Sequence, residues 1–327
     1  MAAKRKSSPP NDTLRPGFRL SRYTILRRLS SGGFGVVYVA RREDGQLVAI
    51  KEFLPSILAV RTPEDRGKVR PATPEASRRF RDGLEAFFRE ADTLARIHDD
   101  RVIAVWDVFE ANGTAYFVMP VEKGITLQAA IRGSPHPLSE GFVRDVFVRA
   151  CMGVEVLHEH GLLHLDIKPS NLWLRPDGSV VVLDLGASRW ADEEGRTGQL
   201  ARTPGFAAPE QHGSVKVKEL TARTDVYGLA ASLWASLEGG SPPPAPQRRA
   251  KDQSVLLARL GQRTPALLRL IEKGMALKPE QRYPDATAMR RELERLPVAL
   301  IEPWLAPDGL GEGPLPALPS SFEAASL

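Results

Sequence analysis

The sequence of 327 residues has little that could crosslink or anchor it. Its single cysteine, Cys151, allows neither an intramolecular disulfide bond nor a cysteine-based metal site, which is typical of a reducing compartment. Cys151 lies in an apolar stretch, which predicts a buried thiol. No apolar run approaches the roughly 18 residues of a membrane-spanning helix, and none follows the basic start as in a secretory signal. We therefore expect a soluble, cytoplasmic protein with no membrane span.

The sequence also lacks a strong excess of positive or negative charge. The sequence has 45 lysines and arginines against 40 acidic residues, a formal net charge of +5. The basic residues are scattered and form no face with interleaved aromatics, so we expect no nucleic-acid partner. A mildly basic protein that handles a phosphate-bearing ligand explains the balance as well. The hydrophobic fraction of 42% and the charged fraction of 26% are those of a globular protein.

The two ends differ from the centre. Residues 1–20 are polar, basic and proline-containing, and residues 297–327 are proline-rich, so both are predicted to be disordered tails. Between them, short β-branched and aromatic runs predict strands at 23–29, 36–41, 47–51, 104–109 and 115–119, with one amphipathic helix over 74–97. Further on, the patterns predict helices over 140–160, 224–238, 255–261, 266–276 and 286–296, with short strands at 171–174 and 180–183. This order favours an α+β protein with two lobes and a cleft.

A glycine-rich segment, 29–37, lies between the first two predicted strands and contains Gly32, Gly33 and Gly35. Glycines there let backbone N–H groups approach a polyphosphate. The strand–turn–strand context argues against a dinucleotide fingerprint or a P-loop. A glycine-rich hairpin turn is also a common structural feature, so this segment alone leaves both interpretations open.

A lysine, Lys51, ends the apolar strand predicted over 47–51. Such an ammonium needs an anion, which could be a phosphate or a carboxylate, and Glu90 in the following helix is the natural partner. The alternative is a solvated lysine at a strand end.

The strongest concentration of chemistry lies in 164–171. Asp166, Lys168 and Asn171 offer a carboxylate that can accept a hydroxyl proton, an ammonium that can neutralise a transferring phosphoryl group and an amide oxygen that can ligate Mg²⁺. Asp184 ends the next apolar strand, and because an unpaired buried carboxylate is costly we expect it to meet a cation.

These features, in this order, resemble the eukaryotic-type (Hanks-type) serine/threonine protein kinase family. Ala208-Pro209-Glu210, Asp225 and Arg282 continue the resemblance, which covers roughly 23–296. It implies an α+β kinase fold with a small antiparallel β-rich N-lobe holding one helix (21–119), a hinge (120–124) and a larger helical C-lobe (125–296). It implies transfer of the γ-phosphoryl group of ATP, with Mg²⁺ or Mn²⁺, to protein serine and threonine hydroxyls, including autophosphorylation. The composition and an inserted segment favour a bacterial member.

The resemblance also implies catalytic roles. Lys51 would hold the α- and β-phosphates and pair with Glu90. Asp166 would accept the substrate proton, Lys168 would steady the γ-phosphate and Thr203 would contact both. Asn171 and Asp184 would hold the metal. The nucleotide would contact Ser30, Gly32, Gly33, Gly35, Val37, Ala49, Lys51, the gatekeeper Met119, and the backbone of Pro120 and Glu122.

Structural roles follow from the same resemblance. Glu210 and Arg282 would form a buried ion pair, and Asp225 would brace the catalytic-loop backbone. An apolar stack linking the lobes would contain Leu94, Val105, His164 and Leu185, so packing is favoured for His164 over acid–base chemistry.

Three departures from the family pattern matter. Leu165 replaces an arginine that usually clamps a phosphorylated activation segment, so we expect control of another kind, although Ser188, Thr197 and Thr203 remain possible phosphorylation sites. Ser30 replaces the first glycine of the loop, which at most weakens nucleotide clamping. The segment 53–77 between Lys51 and Glu90 is longer than usual, and it is either a docking or regulatory element or an inert surface loop.

Two other functions compete with catalysis on proteins. A pseudokinase would bind partners as a scaffold, but it needs a broken catalytic set, and here that set is complete. A small-molecule kinase on the same fold is disfavoured by the well-formed segments around Thr203 and Glu210. The sequence names neither the protein substrate nor the oligomeric state.

Overall fold

A two-lobed α+β architecture with a cleft is present, as predicted. The computed structural model describes residues 13–33, 35–61, 67–184, 203–212, 219–248, 253–261 and 263–296. The predicted strands and helices are present within these ranges, with ends displaced by a few residues. The C-terminal tail predicted over 297–327 lies outside the described residues.

The N-lobe is built on a six-stranded antiparallel sheet. Its strands are β1 (Arg19–Leu20), β2 (Tyr23–Ser31), β3 (Gly35–Arg42), β4 (Leu47–Phe53), β7 (Asp107–Ala111) and β8 (Thr114–Pro120). Their order across the sheet is β1-β2-β3-β4-β8-β7. Alternation along β4 turns Lys51 toward the cleft and the neighbouring Glu52 toward the opposite, outer face.

A short hairpin that the sequence did not predict lies within the inserted segment. Its strands, β5 (Ala59–Arg61) and β6 (Val69–Pro71), pair with each other, and Val69 N–H donates to the Asn112 carbonyl in the β7–β8 turn (2.7 Å). Ala59 and Val69 are buried. These parts of the segment are therefore packed into the N-lobe, and the choice between a docking or regulatory element and a segment without a function of its own stays a prediction.

The segment before β1 is also ordered. Leu14 and Leu20 are 4% and 1% exposed, and the Leu14 N–H donates to the Tyr38 hydroxyl (3.1 Å). The disordered tail predicted over 1–20 is therefore wrong for residues 13–20; residues 1–12 lie outside the described part of the chain. Two apolar side chains in an otherwise polar stretch were too weak a signal.

The N-lobe helix, α1 (Ala76–Ala95), packs on the cleft side of the sheet through an aromatic layer. Phe87 stacks on Phe117 of β8 with ring centroids 4.6 Å apart, and Phe53 of β4 lies 5.4 Å from Phe87 and 5.6 Å from Phe80. Apolar residues at helical spacing predicted this buried face. This packing fixes the position of α1, and therefore of its residue Glu90, relative to the sheet.

The C-lobe begins with a three-stranded sheet and continues with helices. The strands are β9 (Ile125–Thr126), β10 (Leu172–Leu174) and β11 (Val180–Val182), and the helices are α2 (Leu127–Gly133), α3 (Glu140–Glu159), α4 (Ala222–Glu238), α5 (Gln253–Ala258), α6 (Pro265–Gly274) and α7 (Ala286–Glu294). The sheet has the order β11-β10-β9. Helix α4 is almost wholly buried; the Thr221 hydroxyl caps its start, and Gly239 ends it in the left-handed conformation (φ 91°).

Helices of the C-lobe are held together largely by apolar contacts. Cys151 on α3 is fully buried, as predicted, and burial raises the pKa of its thiol. Within the described ranges, no helix combines the length and the apolar character that crossing a membrane would require.

Candidate active site

Strands β3, β4 and β8 form one wall of the cleft between the lobes, and their register decides which side chains face it. Val37 pairs with Lys51 across β3 and β4, and Ala49 pairs with Met119 across β4 and β8. Directly paired residues present their side chains on the same face of a sheet, so these four share the cleft face. Pro120 ends β8 opposite Val48. The sheet thus brings together the residues predicted for the adenine side of the pocket.

The glycine-rich segment is the hairpin turn between β2 and β3. Gly32 N–H donates to the Gly35 carbonyl (2.9 Å), and Ser30 lies on β2 opposite Val37. A side chain at Gly35 is excluded, because its Cβ would lie 2.0 Å from the carbonyl oxygen of Glu52, whereas Gly32 faces open space. Ser30 is extended, which any residue tolerates; Phe34 lies outside the described residues.

Lys51 is 7% exposed, and its ammonium forms an ion pair with Asp184. It also lies 5.0 Å from the centre of the Phe117 ring. Burial lowers the pKa of Lys51, but the charges of Asp184 and Glu90 outweigh it and raise that pKa above its usual value. Lys51 is therefore a permanent cation in the cleft. Glu90 acts on it through its charge, while the ion pair that the structure shows is with Asp184.

Four polar side chains meet at the catalytic loop. The Thr203 hydroxyl donates to Asp166 (2.8 Å), and the Lys168 ammonium contacts both Asp166 and the Thr203 oxygen (3.0 Å). The Asn171 amide donates to the backbone carbonyl of Asp166 (2.9 Å). The predicted contacts of Thr203 with Asp166 and Lys168 are thus confirmed, and the carboxylate of Asp166 is held between a cation and a hydroxyl.

Asp225 holds the backbone of this loop, as predicted. Its carboxylate accepts the N–H groups of His164 (2.9 Å) and Leu165 (2.7 Å), and the His158 ring also contacts it (2.9 Å). Leu165 has φ 63°, a left-handed conformation that costs free energy for a side chain of this size. The Gln211 amide donates to the Leu165 carbonyl (2.7 Å), so bonds on both sides of this residue maintain the strained conformation.

The Leu165 side chain lies in a small apolar cluster of its own. It is 5% exposed and packs with Leu220, which is equally buried, and with Leu163. A guanidinium at this position would meet carbon atoms. The surroundings of this position therefore suit leucine and not the arginine that is usual in the family.

Two other predicted structural features are present. Arg282 donates two hydrogen bonds to Glu210 (2.7 and 2.9 Å), and the arginine side chain is fully buried. Leu94, Val105 and His164 are buried as expected of the apolar stack; Leu185, its fourth member, lies outside the described residues, as do Ser188 and Thr197. The His164 ring contacts the Leu183 carbonyl (2.9 Å), which fits packing rather than acid–base chemistry.

The side chains predicted to hold a metal are one carboxylate and one amide. Asp184, 49% exposed, faces the cleft beside Lys51, and Asn171 keeps its amide oxygen as an acceptor because its NH₂ group is bonded to the loop. Hard oxygen ligands in this small number suit Mg²⁺, which completes its shell with phosphate oxygens and water. Within the described ranges, no cluster of three or more His, Cys, Asp or Glu side chains could hold a metal alone.

A buried polar network lies behind Lys51, and no pattern in the sequence indicates it. Glu52 points away from the cleft, on the outer face of the sheet, and is completely buried there. Its carboxylate accepts hydrogen bonds from the hydroxyls of Tyr38 (2.8 Å) and Tyr116 (2.6 Å) and two from the guanidinium of Arg61 in the inserted hairpin. In addition, the Ser56 N–H donates to the Gly33 carbonyl (3.0 Å). The insertion therefore touches both the glycine-rich loop and the strand of Lys51.

Comparison with known proteins matches residues 23–292 to the protein kinase domain family. The chain belongs to this family. Serine/threonine-protein kinase PknF of Mycobacterium tuberculosis is 30% identical over 295 residues, which cover 86% of this chain and 57% of that protein. Serine/threonine-protein kinase PknB of Mycolicibacterium smegmatis is 29% identical over 235 residues, 64% of this chain and 35% of that protein. The expected resemblance to bacterial members of the family is thus confirmed.

Solved structures agree with the sequence relatives. The structure described as PpkA-294 apo form has a TM-score of 0.73 at 30% identity and covers 86% of this chain and 99% of that one. A point mutant of the PknI kinase domain of Mycobacterium tuberculosis has a TM-score of 0.61 at 21% identity, covers 86% of this chain and 98% of that one, and shows the fold alone. The chain spans about a third to just over half the length of the curated relatives named above.

Proposed function

We propose that this protein transfers the γ-phosphoryl group of ATP to serine and threonine hydroxyls of proteins, itself included. The observation that supports this best is the cluster of Asp166, Lys168, Thr203 and Asn171, together with the Lys51–Asp184 ion pair in the same cleft. Each group that phosphoryl transfer needs is present, and the backbone that leads into Asp166 is held by Asp225. A pseudokinase would lack one of them.

In the proposed reaction Asp166 accepts a hydrogen bond from the acceptor hydroxyl and takes its proton as the oxygen attacks phosphorus. That carboxylate already accepts a hydroxyl, from Thr203, so the geometry suits an alcohol donor. Lys168 lies against the same carboxylate, and its charge offsets the charge on the γ-phosphoryl oxygens. The ADP oxygen is the leaving group, and Lys51 stabilises the charge that develops on the phosphates.

A divalent cation, Mg²⁺ or Mn²⁺, would neutralise charge on the phosphates when bound. Asn171 and Asp184 are the residues that would hold it. The ion pair of Lys51 with Asp184 places this carboxylate beside the lysine that would hold the α- and β-phosphates. Adenine would be read by the backbone of Pro120 and Glu122, because a proline at the first position still provides a carbonyl acceptor.

The acceptor class rests on residues near the catalytic aspartate. Lys168, two positions after Asp166, and Thr203, before the Ala-Pro-Glu segment, accompany serine/threonine kinases in this family, and the two side chains touch here. The curated relatives are named serine/threonine-protein kinases.

The test is transfer of labelled phosphate from ATP to a generic basic protein and to the chain itself, with Mg²⁺. We expect label on serine and threonine, and a loss of about 10²-fold or more in Asp166→Asn and Asp184→Ala. Arg42→Gln, which removes a surface ion pair with Asp44, is the matched control and should transfer normally. Equal and negligible transfer by the wild type and Asp184→Ala would favour the scaffold.

A further inference from the structure

The segment that would read adenine is held to the C-lobe by a side chain that belongs to no motif. Arg175 follows β10 and donates two parallel hydrogen bonds to the Glu122 carboxylate, Nε to Oε2 and Nη2 to Oε1, both 2.8 Å. The pair is mostly sheltered, with side-chain exposures of 23% and 16%. A two-point fork of this kind fixes orientation as well as distance, and a lysine cannot reproduce it.

The remaining nitrogen of the same guanidinium, Nη1, bonds to the N-lobe. Arg175 Nη1 donates to the backbone carbonyl of Asp100 (3.0 Å), in the loop between α1 and β7. That loop is bonded to β11 on its other side, where Val182 N–H donates to the Arg101 carbonyl (2.8 Å). One side chain therefore joins the hinge, the loop that follows the Glu90 helix and the hairpin of β10 and β11.

A second anchor acts one residue further along the hinge. The Trp173 indole N–H donates to the Lys123 carbonyl (2.9 Å). Gly124 has φ 126°, and a Cβ there would lie 2.0 Å from the Leu174 carbonyl oxygen, so the hinge runs directly against β10. The end of the hinge is thus held against β10 by contacts within the protein itself.

We propose that Arg175 is a positioning residue for adenine binding: it preorganises the hinge backbone at Glu122 by tying that side chain to the C-lobe and to the loop after α1. The inference rests on the proposed function for the role of the hinge. Because ordering a segment on binding lowers affinity, a hinge fixed in advance binds the base more tightly. The rest of the pocket, formed by the glycine-rich loop and Lys51, contacts phosphates and does not depend on this tie.

This division separates positioning from mere stabilisation. If Arg175 only stabilised the fold, its removal would lower the melting temperature and leave the affinity for each part of the nucleotide unchanged. If it positions the hinge, its removal weakens ligands that need the hinge and spares ligands that need only the phosphate contacts. Adenosine and Mg²⁺-tripolyphosphate are probes of these two kinds.

The experiment uses the full chain in four forms: wild type, Arg175→Met, Arg175→Lys and Glu122→Gln. Dissociation constants for adenosine and for Mg²⁺-tripolyphosphate are measured by titration calorimetry, and KM for ATP and kcat by phosphate transfer. We expect adenosine affinity to fall at least about five-fold in all three variants, with tripolyphosphate affinity within about two-fold of wild type. KM for ATP should rise in parallel while kcat at saturating ATP changes little. Arg42→Met is the control arginine.

Two results would overturn the proposal: wild-type adenosine affinity in folded Arg175→Lys and Glu122→Gln, or equal weakening of both probes. If Arg175→Met fails to fold, the other two variants decide, since each removes the fork and retains a long polar side chain. The outcome is separate from that of the proposed function. If the wild type binds adenosine through an Arg175-dependent hinge but transfers no phosphate, the positioning role of Arg175 is supported and the proposed kinase activity is contradicted. Transfer by the wild type with no effect of these variants would do the reverse.

Discussion

Each lobe contains a buried arginine–glutamate pair. In the C-lobe, Arg282 and Glu210 connect the start of α7 to the segment after the catalytic loop, and in the N-lobe, Arg61 and Glu52 connect the inserted hairpin to β4. Both arginines are almost fully buried and both make forked contacts. The first pair follows from a resemblance to the family, whereas the second has no motif and became visible only in the fold.

The two pairs differ in how far the sequence indicates them. Arg282 and Glu210 stand at positions of the family pattern, so they could be recognised. Arg61 and Glu52 connect β4 to the segment between Lys51 and Glu90, which is longer than usual. Because Glu52 lies one residue from Lys51, and Ser56 bonds the glycine-rich loop, the added hairpin supports the nucleotide side of the cleft.

The largest effect is expected from breaking the C-lobe pair. Arg282→Ala removes both guanidinium bonds from the Glu210 carboxylate, which keeps a bond from the Thr224 hydroxyl (2.9 Å), so the free energy of unfolding should fall by about 3–5 kcal/mol. Chemical denaturation of the full chain measures it. Arg295→Ala removes an exposed pair with Glu292 and should change the same quantity by about 0.5 kcal/mol or less. A similar small loss in both variants would contradict the buried-pair account.

A somewhat smaller loss is expected from breaking the N-lobe pair. Arg61→Met keeps an unbranched side chain but removes its charge and its terminal donors, and the Tyr38 and Tyr116 hydroxyls still donate to Glu52. The free energy of unfolding should fall by about 2–4 kcal/mol. Hydrogen exchange would show whether the loss is centred on β4 and β5, as the contacts imply.

The matched variant is the double change Arg61→Met with Glu52→Gln. An amide has the shape of the carboxylate: its oxygen accepts one tyrosine hydroxyl, its NH₂ group donates to the other, and it carries no charge to be left uncompensated. We expect the double variant to regain about 1 kcal/mol or more of the loss in Arg61→Met. A double variant less stable than the single one would show that the hairpin is held by packing and not by this pair.

The C-lobe also departs from the family pattern at one position, where Leu165 replaces the usual arginine. Leu165→Arg would place a guanidinium among Leu163 and Leu220, so we expect about 2 kcal/mol of destabilisation and activity that phosphatase treatment does not change. Leu165→Met, which conserves volume, should cost less than about 1.5 kcal/mol. Phosphatase-sensitive activity in Leu165→Arg would show instead that the site can form the usual phosphate clamp.

Residues with fixed chemical roles could be read from the sequence, and residues defined by partners could not. Asp166, Thr203 and Asp225 stand at set distances in the chain from their motifs, and the structure shows the contacts expected of them. Arg61 and Arg175 are ordinary surface-type residues by sequence. Their function depends on which acids the fold brings near, across 9 and 53 positions respectively, and no local pattern encodes that.

Similar reasoning explains the limits of the fold prediction. Alternation and turn signals located β2, β3, β4, β7 and β8 of the main sheet, because each is long enough to show a period, but not the two-residue β1. The strands β5, β6 and β9 have two or three residues each, too few for a period, and they form because pairing partners are held nearby. The ordering of Leu14 has the same cause, since its N–H bond to Tyr38 exists only on the finished sheet.

The smallest effect is expected at Thr197. Leu165 packs among leucines where an arginine could have bound a phosphate, so a phosphate on the activation segment loses its usual partner in the catalytic loop. Thr197→Ala should therefore leave kcat/KM for a peptide substrate within a few-fold of wild type. The measurement is steady-state phosphorylation with protein that has and has not been treated with phosphatase. A large loss in Thr197→Ala, reproduced by phosphatase treatment of the wild type, would mean that another cation takes the place of the missing arginine.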